Sequence, residues 1–174
     1  MEDPGFHVHR RVLEDTGMSP LPVPVDSAGI DVEALARSDA VAALVTPAHQ
    51  SPTGVALAPE RRTALVGWAR PDRVIIEDDY DAEFRYDRAP VGALQGLAPD
   101  HVVYAGSASK TLAPGLRLGW LVLPEALVDT GPSTATAVAS KRSASVTAGS
   151  SCRASGPSSS ARIGRFRTTR SSAR

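Results

Sequence analysis

Short runs of apolar residues recur between polar segments along residues 1–129. Their length and unbroken apolar character predict strands buried on both faces of a sheet, at residues 41–46, 74–76, 102–105 and 118–123. Apolar positions at helical spacing predict helices at residues 7–15, 32–37 and 59–70, the last two starting at Asp31 and Pro59. This alternation predicts an α/β fold, a mostly parallel sheet with helices on both faces.

The pattern is lost after residue 129. Residues 1–129 carry 11 basic and 19 acidic side chains, a balance of −8, whereas residues 130–174 carry eight basic and no acidic ones, a balance of +8. This low-complexity, serine-rich composition predicts a disordered basic tail. A basic tail can also bind nucleic acid, but Phe166 is its single aromatic residue and it has no nucleic-acid-binding motif. We favour a third interpretation, a frameshift in GC-rich coding DNA, because the sequence changes character just after a predicted helix start at Pro124.

Cysteine usage and hydropathy indicate the cellular location of the protein. Cys152 is the only cysteine, so an internal disulfide is excluded and an intracellular, cytoplasmic location is expected. No apolar run approaches the roughly 18 residues of a membrane span, and we expect neither a membrane segment nor a signal peptide.

Polar segments directly follow three of the predicted strands, at residues 46–54, 77–81 and 106–117. Because ligands bind outside the carboxyl ends of strands in α/β sheets, we expect these segments to converge on one site.

The last of these segments carries Lys110, the only lysine of residues 1–129. A lysine there can hold an aldehyde as a Schiff base, while Ser107, Ser109 and Arg117 can hold a phosphate through charge-assisted hydrogen bonds. Pyridoxal 5′-phosphate (PLP) carries both groups. The alternative is that Lys110 is a solvated loop lysine.

Four acids surround one tyrosine in residues 77–81. PLP chemistry needs a carboxylate at the pyridine nitrogen, and Asp78 is the candidate, with Tyr80 available to hydrogen-bond the ring's phenolic oxygen. We expect Asp79 and Asp81 to be solvated or to cap the next element. The alternatives for the whole cluster are an acidic capping loop or a Mg²⁺ site.

Five segments together resemble a known family: EDPGF at 2–6, TPAHQSPTG at 46–54, EDDYDAEFRY at 77–86, SASK at 107–110 and RLG at 117–119. They are similar to fold-type I PLP enzymes of the class I/II aminotransferase group. More narrowly, they resemble the aminotransferase-like domain of MocR-type, GntR-family transcriptional regulators. The resemblance covers about residues 1–129 and implies the central part of the large domain of a PLP-dependent transferase.

The resemblance implies roles for individual residues. Lys110 would be the Schiff-base lysine and Asp78 the partner of the pyridine nitrogen. Tyr80 would contact the phenolic oxygen, and the aromatic ring of Phe6 would stack on the cofactor. The phosphate would be held by Ser107, Ser109 and Arg117. Ser51 departs from the pattern, because metabolic aminotransferases have asparagine there, and transaminase competence is therefore in question.

The function implied is PLP binding in the effector domain of a MocR-like regulator that responds to an amino acid or amine. One alternative is a metabolic aminotransferase that moves an amino group between an amino acid and a 2-oxo acid, and another is an inactive gene fragment. The family pattern also includes a DNA-binding winged helix, the start of the large domain, a small domain and a homodimer. We expect this chain to be a central piece, cut at both ends and without transaminase activity of its own.

Overall fold

The computed structural model describes residues 1–81, 92–108, 119–130 and 137–139. Three α-helices, α1 (His7–Asp15), α2 (Val32–Arg37) and α3 (Pro59–Trp68), lie in this part of the chain. The strands are β1 (Glu2–Asp3), β2 (Val23–Asp26), β3 (Gly29–Ile30), β4 (Ala42–Val45), β5 (Val74–Asp79), β6 (Val102–Ser107), β7 (Gly119–Leu123) and β8 (Ala137–Ala139), and a 3₁₀ helix spans Glu125–Thr130. None of the helices described is long and apolar enough to cross a bilayer.

The main sheet has five strands in the order β4-β5-β6-β7-β8. Strands β4, β5 and β6 are parallel, β7 is antiparallel to β6, and β8 is parallel to β7. A second sheet, of order β1-β2-β3, is formed by the three short strands near the start of the chain. The predicted α/β architecture with a mostly parallel sheet is confirmed.

The hydrophobic core lies between the main sheet and helices α2 and α3. Ile75 and Val102 are fully buried side chains of the sheet, and Leu35 and Leu65 are fully buried side chains of the helices. The start of α2 is fixed as the sequence predicts, because the Asp31 carboxylate accepts a hydrogen bond from the Ala34 amide at 2.9 Å.

Two strands extend further than the apolar pattern predicts. Strand β5 continues from Ile76 through Asp79, and β6 continues past Gly106, because the two strands stay in register as far as the pair Asp79–Gly106. The first three acids of the 77–81 cluster are therefore strand residues and not loop residues. Backbone pairing with a neighbouring strand extends an element whose side chains are polar.

The segment beyond residue 129, predicted as a disordered or non-native tail, contributes the three residues of β8, which pair with Leu121, Val122 and Leu123 of β7. Its other residues, apart from Thr130 at the end of the 3₁₀ helix, lie outside the described part of the chain. The origin of this segment stays a prediction.

Candidate functional site

Strand geometry separates the acidic residues of β5. Successive side chains of a strand point to opposite faces, so Glu77 enters the core side while Asp78 faces the other way. Glu77 is buried and accepts hydrogen bonds from the amides of Leu94 at 2.9 Å and Gln95 at 3.0 Å. Burial raises the pKa of the Glu77 carboxyl.

Asp78 is held by a residue of helix α1. The Oδ2 atom of Asp78 lies 2.8 Å from Nε2 of His9, and both side chains are largely shielded from solvent. Phe6, at the start of the same helix, packs edge-on against His9 with ring centroids 5.2 Å apart. The Phe6 ring remains 42 % exposed. His9 of α1 thus contacts both the half-exposed Phe6 ring and the Asp78 carboxylate of β5.

Tyr80 joins β5 to the loop that follows β4. Its hydroxyl donates to the carbonyl oxygen of His49 at 3.0 Å, and its ring stacks on the His49 imidazole at a centroid distance of 6.0 Å. Burial, with added repulsion from the carboxylates of Asp81 and Asp78, raises the pKa of Tyr80 to about 12, and a hydrogen bond with the Ser51 side chain partly opposes this rise. The side chains of Tyr80 and Ser51 therefore lie within hydrogen-bonding reach of each other.

Asp79 and Asp81, expected to be solvated or to cap the next element, are half-buried and hydrogen-bonded, and the residues that directly follow Asp81 lie outside the described part of the chain. Oδ2 of Asp79 accepts a hydrogen bond from the Tyr104 hydroxyl at 2.7 Å, and Oδ2 of Asp81 lies 2.5 Å from Nδ1 of His49. Sequence position alone could not show this, because the partners lie more than twenty residues away along the chain.

The four acids of this cluster thus have four separate sets of partners, which does not favour the Mg²⁺ alternative. In the described ranges no three His, Cys, Asp or Glu side chains are grouped as metal ligands would be.

A buried polar network ties the loop after β4 to the strand β1. The Glu2 carboxylate accepts hydrogen bonds from the Thr46 hydroxyl at 2.7 Å, the Thr46 amide at 3.2 Å and Nε2 of Gln50 at 3.3 Å. Nε2 of Gln50 also donates to the carbonyl oxygens of Pro4 and Ser51, both at 2.8 Å. Burial raises the pKa of Glu2, while these hydrogen bonds act in the opposite direction.

Four of the predicted site residues, Phe6, Asp78, Tyr80 and Ser107, lie in the described part of the chain. The structure brings Phe6 close to Asp78 through His9, and it brings Tyr80 close to Ser51. Ser107 is the last residue of β6, paired with Gly119 of β7. The remaining predicted residues, Ser109, Lys110 and Arg117, lie outside the described residues.

Sequence reasoning missed His9 and Gln50. His9 could have been found from its spacing of three positions after Phe6, which places both on one side of a helix. Gln50 carries no comparable signal, since a glutamine in a polar loop is ordinarily solvated.

Comparison with known proteins identifies the domain type. The family model described as aminotransferase class I and II matches residues 1–166, which extends past residue 129. Among curated proteins, the chain is 42 % identical over 130 residues to the uncharacterized HTH-type transcriptional regulator YhdI of Bacillus subtilis. It is 42 % identical over 125 residues to the HTH-type pyridoxine biosynthesis transcriptional regulator PdxR of Corynebacterium glutamicum, and 39 % identical over 131 residues to the probable rhizopine catabolism regulatory protein MocR of Rhizobium meliloti.

These alignments cover 71–74 % of this chain, and the chain spans 27–28 % of the length of these curated relatives. Among solved structures, the α-aminoadipate aminotransferase LysN from Thermus thermophilus, complexed with N-(5′-phosphopyridoxyl)-L-leucine, matches with a TM-score of 0.66 at 32 % identity. That match covers 72 % of this chain and 35 % of LysN.

The fold, the order of the motifs and the comparisons agree. This is an aminotransferase-like domain homologous to the corresponding domain of MocR-type HTH regulators. The chain belongs to the aminotransferase class I and II family.

Proposed function

We propose that this domain binds PLP, with Lys110 as the residue of covalent attachment, and that it serves as the effector domain of a MocR-type regulator. The observation that carries the proposal is the Asp78 carboxylate, held 2.8 Å from His9 near the carboxyl end of a central parallel strand. Ligands of α/β sheets bind at this edge.

The described residues fit the cofactor's chemistry. Bound PLP supplies an aldehyde that takes up amino groups and a pyridine ring that accepts electrons. The Asp78 carboxylate is an acceptor suited to a protonated ring nitrogen, and the His9 imidazole holds it in place. Phe6 offers a half-exposed aromatic ring. The Tyr80 hydroxyl donates its one proton to the His49 carbonyl oxygen and would redirect it to reach a phenolic oxygen.

The remaining roles rest on the family resemblance of the sequence. Ser107, Ser109 and Arg117 would hold the phosphate through charge-assisted hydrogen bonds. The LysN structure contains a phosphopyridoxyl amino acid, which supports PLP as the ligand of the shared fold. An amino acid or amine is the proposed effector, and a homodimer is the proposed assembly of the intact protein.

Two observations favour a regulator over an enzyme. The curated relatives described above carry names of transcriptional regulators. In addition, Ser51 stands where the metabolic enzymes have an asparagine, and its shorter side chain interacts with Tyr80. In a regulator, DNA would be contacted by the helix-turn-helix part that the relatives' names specify.

The proposal is tested by borohydride labelling of the lysine that binds PLP and by substitution of the Asp78 carboxylate. Borohydride treatment of the chain mixed with PLP should fix the label on Lys110, and Lys110→Ala should abolish it while Lys141→Ala leaves it. Asp78→Asn removes the charge opposite the ring nitrogen and should weaken PLP binding by about ten- to a hundredfold, since a hydrogen bond to a charged group is worth roughly 1.5–3 kcal/mol.

Asp79→Asn is the matched control, because Asp79 is the next strand residue but bonds to Tyr104 on the other face. It should leave PLP affinity nearly unchanged. Label on Lys141, or equal losses of affinity from the two exchanges, would contradict the proposal.

A metabolic aminotransferase is the second candidate, favoured by the likeness to LysN at 32 % identity. It predicts formation of a 2-oxo acid when the protein is given PLP, an amino acid and an acceptor 2-oxo acid. A regulator predicts binding of the amino acid without multiple turnover. A coupled assay for the new 2-oxo acid separates the two.

A further inference from the structure

We infer that Gln50 and its buried partner Glu2 are positioning residues, which fix the two backbone segments on either side of the proposed PLP site. This role presupposes the cofactor binding proposed above, and it adds residues that do not themselves touch the cofactor.

The Gln50 side chain is unusual for a loop glutamine because it is only 2 % exposed and fully bonded. Its Nε2 donates to the carbonyl oxygens of Pro4 and Ser51 and to the Glu2 carboxylate. Its Oε1 accepts from the Thr53 amide at 3.0 Å and from the Thr53 hydroxyl at 2.6 Å. A buried amide with all its groups satisfied has one favoured orientation.

Glu2 completes the network from the other side. It is 6 % exposed, and its carboxylate accepts from both the amide and the hydroxyl of Thr46. The Thr46 hydroxyl in turn accepts a hydrogen bond from the Ser51 amide at 3.2 Å. Glu2 and Gln50 therefore reach the Ser51 backbone by two routes, at its amide and at its carbonyl.

These contacts join the two halves of the candidate site. Pro4, which accepts from Gln50, lies two residues before Phe6 and leads into the helix that carries His9. On the other side, Gln50 lies between Ser51 and His49, whose carbonyl oxygen accepts from Tyr80. One side-chain amide thus spans the gap between the aromatic side of the site and its hydroxyl side.

Loss of the amide should let these two segments separate. Gln50→Glu keeps the shape and the Oε1 acceptor, but it replaces the donor with an oxygen that faces three acceptor oxygens. Gln50→Leu removes both polar groups at similar volume and serves as the second variant if Gln50→Glu does not fold. The matched control is Glu77→Gln, which exchanges the same two residue types in the opposite direction at an equally buried position. The Glu77 carboxylate accepts from the amides of Leu94 and Gln95 and takes no part in the Gln50 network.

The first measurement is the dissociation constant of PLP for the 174-residue chain, by absorption titration. Each Gln50 variant should raise it by about tenfold or more, the effect of one buried hydrogen bond lost from the assembled site. The pH midpoint of the bound cofactor's absorption band should also shift in the Gln50 variants and stay unchanged in Glu77→Gln. A role of Gln50 confined to stability would leave this pH midpoint unchanged in the Gln50 variants.

The second measurement needs no cofactor. Gln50→Leu should speed hydrogen exchange at the Thr53 and Ser51 amides, which the network protects, and Glu77→Gln should not. Unchanged exchange at these amides, or equal PLP affinities in the Gln50 and Glu77 variants, would overturn the positioning role alone. A wild-type chain that binds no PLP would overturn the proposed function and this inference with it, and the first titration reveals that case.

Discussion

His9 connects helix α1 to the acidic end of β5, and its removal is the sharpest test at the scale of one residue. His9→Phe keeps a ring against Phe6 but loses the bond to Asp78. Because the pair is only partly exposed, we expect a loss of about 1 kcal/mol in the free energy of unfolding and weaker PLP binding. Denaturant unfolding and PLP titration measure the two effects.

His7→Phe is the paired control. His7 also packs edge-on against Phe6, at a centroid distance of 5.2 Å, but it is exposed, and the carboxylate of Asp78 bonds to His9 instead. It should change neither quantity appreciably. If the two variants behaved alike, the contact between His9 and Asp78 would contribute neither to the free energy of unfolding nor to PLP binding.

At the scale of an element, the contact between β6 and β7 depends on the absence of a side chain at Gly106. A Cβ atom there would overlap the indole ring of Trp120, which lies across the strand pair. Gly106→Ala should therefore destabilise the protein by roughly 1–3 kcal/mol, the usual cost of overpacking. Thermal unfolding measures the loss, and Trp120→Val in the same chain should recover part of it.

Gly67 gives the opposite expectation and serves as the control. It lies in α3, with no atom within 4 Å of a Cβ placed on it. Gly67→Ala should stabilise the protein by roughly 0.5–1 kcal/mol, because alanine loses less entropy in a helix. A stabilising Gly106→Ala would show that the strand pair is packed differently.

At the scale of the whole molecule, Glu77 should make stability depend on pH. Burial raises its folded pKa above the usual 4.5, so the folded state binds the proton more tightly than the unfolded state. The stability it contributes is present below pH 4.5 and is lost as the pH rises through the folded pKa. Relative to wild type, Glu77→Gln should become more stable across that window, by at most about 1.4 kcal/mol per pH unit.

Urea unfolding at several pH values from 4 to 8 (roughly the range in which a raised carboxyl pKa falls) measures this difference. Glu33→Gln is the control, because Glu33 is a surface residue whose carboxylate lies 3.9 Å from the guanidinium of Arg37. A pH-independent difference between Glu77→Gln and wild type would contradict the raised pKa.

Local sequence determined much of the fold. Helix α1 spans the predicted residues 7–15, Asp31 caps α2 as its position before an apolar helix predicts, and the unbroken apolar runs are strands of a mostly parallel sheet. These features depend on residues within a few positions of one another, so periodicity and capping chemistry suffice to find them. Two of the three polar segments that the sequence predicts to converge do meet, since Tyr80 bonds to His49 after β5 and β4, while residues 109–117 of the third lie outside the described part of the chain.

Only the tertiary structure decided the partners of the polar side chains. EDD at residues 77–79 looks uniform in the sequence, yet Glu77 bonds to core amides, Asp78 to His9 and Asp79 to Tyr104. Which acid meets which partner depends on strand alternation and on where β5 ends, and the end of β5 is set by its pairing with β6. The sequence by itself thus determined the elements and the family, because those follow from local pattern. The structure decided that Gln50 is buried and that Asp79 bonds to Tyr104, because hydrogen bonds between distant residues form only once packing has brought them together.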